Sequence, residues 1–247
     1  MYSNLPPSQC ARADDRPLVF GHRGARGHAP ENTLLGVETA IRLGADWVEV
    51  DVQLNAGNPV LMHDLTLERT TNGHGFVADV APDYLAGLDA GRGQKVPGVL
   101  DTIELIDHRA GLNLELKAAG SAGVIVRDIR HAVQVLGWDW SEFLVSSFNL
   151  QELRQVSALE PRIPIGALYA GVPLDYAASA EALGAISVHL SHEFLAPNMI
   201  EDARARGLAV YVYTVNHPVE IERVRALGVD GIFTDYPERV LVLDRVA

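Results

Sequence analysis

Cysteine is almost missing. Cys10 is the single one in 247 residues, so no disulfide forms within the chain and packing has to supply the stability. No apolar run approaches the roughly 18 residues of a membrane-crossing helix. Residues 1–16 hold Pro6, Pro7, Asp14 and Asp15 but no apolar core segment. They read as a flexible N-terminal segment and not as a secretory signal. No Ser/Gly-rich or low-complexity linker divides the rest, so residues 17–247 are expected to form a single domain. Positive charge is scarce: 20 Lys and Arg stand against 32 Asp and Glu, a net charge of −12. That excludes nucleic acid and anionic membrane surfaces as partners. A soluble protein of a reducing compartment, the cytoplasm, is expected, with its oligomeric state open.

What is present is a steady alternation of short apolar runs and amphipathic stretches. The chain is 48% hydrophobic. Strands are expected at 18–20, 46–54, 112–116, 143–146, 164–168, 185–190, 208–214 and 231–234. Helices are expected over 34–43, 101–108, 124–136, 150–159, 174–183, 197–206, 217–227 and 237–246. About eight strand-then-helix units in roughly 250 residues predict an α/β fold, a (β/α)8 TIM barrel with its site at the carboxyl ends of the strands. Residues 64–95 break the rhythm with Thr70-Thr71-Asn72-Gly73 and further glycines. They read as a small insertion after the second strand, entered through the turn at 55–58 and the run 59–62.

The chemistry concentrates between His22 and Lys117. In the second strand Val48, Val50 and Val52 share one face, and Glu49 and Asp51 share the other. Adjacent carboxylates on a buried face repel each other and lose hydration. A hard cation with oxygen ligands is the simplest compensation. The third barrel strand repeats the pattern, with Leu112, Leu114 and Leu116 opposite Asn113, Glu115 and Lys117. A plain Glu115–Lys117 ion pair would also satisfy that strand. Beside Glu49 and Asp51, however, Glu115 is a third oxygen ligand. His22, Arg23 and His63 sit at neighbouring strand ends. With a negative chain overall, a phosphate ligand requires local positive charge from a metal ion plus Arg or Lys.

His22-Arg23-Gly24, Glu31-Asn32-Thr33, Glu49-Val50-Asp51, His63-Asp64, Thr71-Asn72-Gly73, Glu115-Leu116-Lys117, Ser146-Ser147-Phe148 and Thr234-Asp235-Tyr236-Pro237 follow one another in order. In this the chain resembles the glycerophosphodiester phosphodiesterase family of metal-dependent (β/α)8 barrels over nearly all of residues 18–240. The resemblance implies Glu49, Asp51 and Glu115 as ligands of Mg2+ or Ca2+. It implies His22 and His63 as catalytic acid and base, and Arg23 and Lys117 as phosphate-binding residues. The implied reaction is hydrolysis of a small-molecule glycerophosphodiester to glycerol 3-phosphate and an alcohol, through a cyclic phosphate. A phospholipase-D-like lyase acting on lysophospholipids or choline phospholipids is the alternative. A Schiff-base role for Lys117 would leave the three acids unexplained. Two departures stand out. Asn55-Ala56-Gly57-Asn58 replaces the family's Thr-x-Asp-Gly, and Tyr213-Thr214-Val215-Asn216 replaces its Trp-Thr-Val-Asn.

Other residues are expected to matter less. His28 and His74 lie in Gly-rich loops, and His108 and His131 on helix surfaces. His189, on a strand face with Ser187, reads as a hydrogen-bonded core histidine. Asn32 or Thr33 is expected to cap the first helix. Phe76, Tyr84 and Leu85 are candidates to touch the substrate's alcohol.

Overall fold

Alternating β-branched runs and amphipathic segments order the chain into nine strands and nine helices in a computed structural model that describes residues 16–242. The strands are β1 (Leu18–Gly21), β2 (Trp47–Asn55), β3 (Asn58–Leu61), β4 (Gly111–Leu116), β5 (Phe143–Ser147), β6 (Ile165–Tyr169), β7 (Ser187–Ser191), β8 (Ala209–Tyr213) and β9 (Gly231–Thr234). The helices are α1 (Leu34–Arg42), α2 (Pro82–Gly87), α3 (Val99–Ile106), α4 (Ala122–Val135), α5 (Leu150–Leu159), α6 (Ala178–Ala182), α7 (Pro197–Ala205), α8 (Pro218–Ala226) and α9 (Pro237–Val242). All strands except β3 pair in parallel. The sheet closes because β1 bonds both β9 and β2. The result is the eight-stranded (β/α) barrel that the alternation predicts.

Two apolar layers hold it. Outward-facing Val48, Val50, Val52, Leu112, Leu114 and Val145 pack beneath the helices. Inside the barrel, Phe20, Trp47, Leu144, Tyr211 and Phe233 fill the lumen, with Phe20 stacked on Phe233 at 4.4 Å between ring centres. This plug closes the lower barrel and leaves the carboxyl ends of the strands to build a site. His189 belongs to the plug. It is fully buried, its Nε2 lies 3.1 Å from Ser187 Oγ, and burial pulls its pKa down to about 3.

The insertion has a physical identity of its own. β3 pairs antiparallel with β2 across a tight turn. Ala56 (φ 47°) and Gly57 (φ 79°) both adopt the left-handed conformation that a two-residue hairpin requires. Met62, Leu67, Val77, Leu85 and Leu88 then form a separate small core. Asn55 ties it to the barrel by donating to the carbonyls of Val77 and Val80.

Several local expectations need correction. The helix expected over 174–183 shrinks to α6, because Pro173 and the stretch before Ala178 form turns with no continuous apolar face. His108 is not on a helix. α3 stops at Ile106, and Asp107 and His108 turn left-handed, with His108 stacked on Trp138 and bonded to Glu142. Thr33, not Asn32, caps α1 by accepting from Gly36 N. Leu85 is buried in the insertion's core and cannot touch a substrate. Arg16, assigned to the leading segment, forms a two-pronged ion pair with Asp46. The remainder of that segment, and the end of the closing helix beyond Val242, lie outside the described residues. No helix among the described residues is long and apolar enough to cross a membrane.

Candidate active site

The pairing of β2 with β4 builds the acidic centre. Asp51 stands opposite Glu115, and Glu49 opposite Asn113, so inward residues of both strands converge one layer above the plug. Glu49, Asp51 and Glu115 are 2%, 1% and 8% exposed. One carboxylate oxygen from each comes together, the three lying within 4.8 Å of one another. Three negative charges this close are unfavourable unless shared with cations or protons. Burial first, then Asp51 and Glu115, pushes the Glu49 carboxyl well above the ordinary range. Burial and Asp51 push Glu115 up to about 7, against the pull of Lys117. Asp51 goes the other way: burial would raise it, but Lys117, Arg23, His63 and the Asn32 bond together outweigh burial and hold it down.

Two basic residues balance the acids. Lys117 Nζ bonds Glu115 and lies 3.3 Å from Asp51 Oδ1. The ion pair that β4 alone suggests is therefore present, inside the larger cluster. Arg23 sits just past β1 in the left-handed conformation (φ 52°). That turn aims its amide at Glu49 Oε2 (2.8 Å) and its Nε at Asp51 Oδ2 (3.1 Å). Asn32, also left-handed, clamps Asp51 from the far side. Its amide nitrogen donates to Asp51 Oδ2, and its oxygen accepts from Asp51 N. After these bonds Glu49 Oε1 is buried with no hydrogen-bond partner. An orphaned carboxylate oxygen facing two further carboxylates is the donor set of a hard divalent cation, so the residues present fit such an ion.

The two histidines flank this centre. His22 follows β1, and its Nδ1 lies 2.7 Å from Asp235 Oδ1, at the end of β9. Asp235 Oδ2 accepts from Asn216, which also bonds the Asp235 amide. His63 follows β3, and its Nδ1 lies 2.6 Å from Asp64 Oδ1. Gln53, buried on β2, donates to the carbonyls of His63 and Asp64 at 3.3 Å. Both aspartates are held below the usual carboxylate range. For Asp64 the Arg69 hydrogen bond leads; for Asp235 burial opposes the shift, and the His22 bond and charge, Asn216 and Arg26 together outweigh it. An ionised carboxylate only accepts. Each ring therefore holds a proton on Nδ1, which leaves Nε2 as the nitrogen that can exchange protons with a ligand. Burial, ahead of the opposing pull of Asp51, keeps the His63 pKa below its ordinary value.

His22, Arg23, Glu49, His63, Glu115 and Lys117 line one cavity of about 450 Å³. Asp51 lies just behind, fully covered. The same cavity has an apolar lining of Leu168, Phe233, Tyr213 and Phe148, with Tyr213 and Phe148 edge to face at 5.9 Å. Phe76, Tyr84 and Leu85 are not among the lining residues. All seven sequence-predicted site residues thus meet in one place. Asp235, Asn216, Arg26 and Gln53 are additions. A closed barrel makes its first and last strands neighbours, with Gly21 opposite Thr234. That topology was the signal for pairing His22 with Asp235.

The sequence profile of the glycerophosphoryl diester phosphodiesterase family matches residues 22–239. A glycerophosphodiester phosphodiesterase of Caldanaerobacter subterraneus subsp. tengcongensis is 34% identical over 93% of this chain and 98% of its own length. One from Bacillus subtilis is 30% identical over 91% of this chain and 85% of its own. Among solved structures, an Oleispira antarctica phosphodiesterase in complex with the product sn-glycerol-3-phosphate superposes with a TM-score of 0.85. It is 33% identical and covers 92% of this chain and 96% of that one.

Proposed function

Since the chain belongs to the glycerophosphoryl diester phosphodiesterase family, we propose that it hydrolyses glycerophosphodiesters to glycerol 3-phosphate and an alcohol by two-histidine acid–base catalysis. One observation carries the reading: two imidazoles with Nδ1 fixed by carboxylates share a cavity with Glu49, Glu115, Arg23 and Lys117, and Asp51 completes the acid cluster just behind it. Glu49, Asp51 and Glu115 would hold Mg2+ or Ca2+. When bound, such an ion supplies positive charge to the phosphate and raises the acidity of a neighbouring hydroxyl.

The protein's own groups do the rest. Arg23 and Lys117 bind the phosphoryl oxygens and stabilise the charge that grows there in the transition state. A hydroxyl of the glycerol moiety attacks phosphorus while the bond to the leaving alcohol breaks. Nε2 of one histidine, entering as the neutral imidazole, takes the hydroxyl proton, and the other histidine, entering as the imidazolium with a second proton on Nε2, delivers that proton to the departing oxygen. The product of this step is a cyclic phosphate. Water then opens it with the two roles reversed, which returns each imidazole to its starting state. An imidazole with a pKa near neutrality suits both directions. The apolar wall of Phe148, Tyr213 and Leu168 receives the alcohol.

A coupled glycerol 3-phosphate assay over choline, ethanolamine, glycerol and inositol diesters, with Mg2+ and Ca2+ compared, tests the reading. Turnover is expected with a divalent ion and none after EDTA. Full activity in chelated buffer would end it. Phosphorus NMR of the products separates hydrolysis from a lyase that releases the cyclic phosphate.

A further inference from the structure

The insertion is tied to the barrel through ion pairs as well as through Asn55, and the ion pairs converge on Arg69. Arg69 stands between two carboxylates. Its Nη1 and Nη2 each lie 2.8 Å from an oxygen of Glu31, and its Nε and Nη2 lie 2.5 and 3.0 Å from Asp64. Asp64 holds the Nδ1 of His63. Glu31, on the loop before α1, accepts from Arg23 at 2.8 Å and pairs with Arg26 at 3.2 Å. Arg23–Glu31–Arg69–Asp64–His63 is therefore an unbroken chain of alternating charge. It runs from the phosphate-facing guanidinium to an imidazole on the other side of the cavity.

We propose that Arg69 is a positioning residue for the reaction: supplied by the insertion, it sets the His63 ring and the Arg23 guanidinium against each other through Asp64 and Glu31. The inference rests on the functional reading above. Arg69 does not line the cavity, and its hydrogen bonds go to Glu31 and Asp64, so its effect passes through these two carboxylate partners. A stabilising role alone does not account for it. Its side chain is 43% exposed, and exposed ion pairs contribute little to folding. Geometry is what it supplies. A planar guanidinium binds two carboxylates in fixed directions, which a flexible ammonium cannot reproduce. Asp64 has rotational freedom of its own, and without Arg69 only the His63 bond would orient it. A ring displaced by about 1 Å is enough to cost on the order of a hundredfold in rate.

The test uses the full chain. Arg69→Ala is expected to lower kcat by about 10- to 100-fold with little change in KM or melting temperature. Millimolar guanidinium should restore part of the loss in Arg69→Ala and none in Asp64→Asn, which lacks the anionic acceptor. Nitrogen NMR of 15N-histidine protein reads the ring directly, with a His63→Gln sample assigning its signals. In wild type the His63 nitrogens should show one fixed tautomer. In Arg69→Ala they should move toward a tautomer mixture while the His22 signals stay in place. Unchanged His63 signals, or a loss of activity that guanidinium does not restore, would overturn the proposal. Should Arg69→Ala fail to fold, Arg69→Lys carries both readouts, with an intermediate loss expected. If wild type turns over no diester, the functional reading fails, yet the nitrogen spectra still decide whether Arg69 sets the ring.

Discussion

His22 and His63 are bonded alike but housed differently. The His22 side chain is 12% exposed, wedged between strand ends, and that of His63 is 33% exposed on the insertion side. Replacing either with Ala should lower kcat by about 10²–10⁴-fold, the usual worth of a positioned acid or base, and leave the circular dichroism unchanged. Wild-type turnover in one variant would remove that histidine from the scheme. Asp235→Asn is a finer probe. An amide presents a donor as readily as an acceptor, so Nδ1 of His22 no longer has to carry the proton. Nε2 then spends part of its time protonated and cannot accept. The loss should fall on kcat, with the melting temperature nearly constant, and Asp235→Ala should be no less impaired. A kcat unchanged in both would show that Asp235 only fills space.

Elements bring these residues together, and Gly24 shows how little freedom they have. Its φ is +82°, and a Cβ there would sit 2.4 Å from the carbonyl carbon of Gly36 in α1 and 2.7 Å from its oxygen. Backbone meets backbone at the turn that aims Arg23. Gly24→Ala should cost about 2–4 kcal/mol and about 5–15 °C in melting temperature, measured by calorimetry. Elsewhere two elements are clamped by charge. Glu160, at the end of α5, accepts from Arg130 of α4 and from Arg162, and chiefly Arg162 lowers its pKa to about 2. The folded value lies below the unfolded one, so the stabilisation is present above about pH 4.5 and is lost as pH falls through about 2. Glu160→Gln should therefore cost about 1 kcal/mol at neutral pH, the arginines being solvent-screened, and the gap to wild type should close below pH 4 in urea titrations. What could be read from the sequence divides along this line. Period-two alternation and strand order placed Glu49, Asp51 and Glu115 on one inner face, because a barrel strand has only two faces. His22 and His63 were legible as strand-end residues for the same reason. Arg69, Gln53 and the Asp235–Asn216 bond were not, since contacts 5 to 38 residues apart through irregular loops leave no periodic trace. α6 failed for the opposite reason: its apolar spacing suggested ten residues, and the proline-containing turn before it left five.

On the scale of the whole molecule, a chain of net charge −12 gathers three of its acids in one buried site. Any salt relieves general self-repulsion by screening. A bound divalent ion acts differently, because it stabilises by mass action and saturates. At a hundredfold excess over its Kd the gain is about 2.7 kcal/mol, or about 5–10 °C for a chain of this size. Titrating Mg2+ or Ca2+ into chelator-treated protein should raise the melting temperature to a plateau. Equal ionic strength of a monovalent salt should give a smaller, unsaturating rise. Glu49→Gln separates the two effects. The amide oxygen can still accept from the Arg23 backbone, where Glu49 Oε2 now does at 2.8 Å. One of three crowded charges is gone, so the ion-free variant should melt above the ion-free wild type. Its plateau response to divalent ions should disappear along with its turnover. An ion-free Glu49→Gln protein that melts below wild type, or one that still shows the saturable rise, would mean that the three acids are not the cation's seat. The crowding of charge would then need another explanation than a site left less stable so that it can bind.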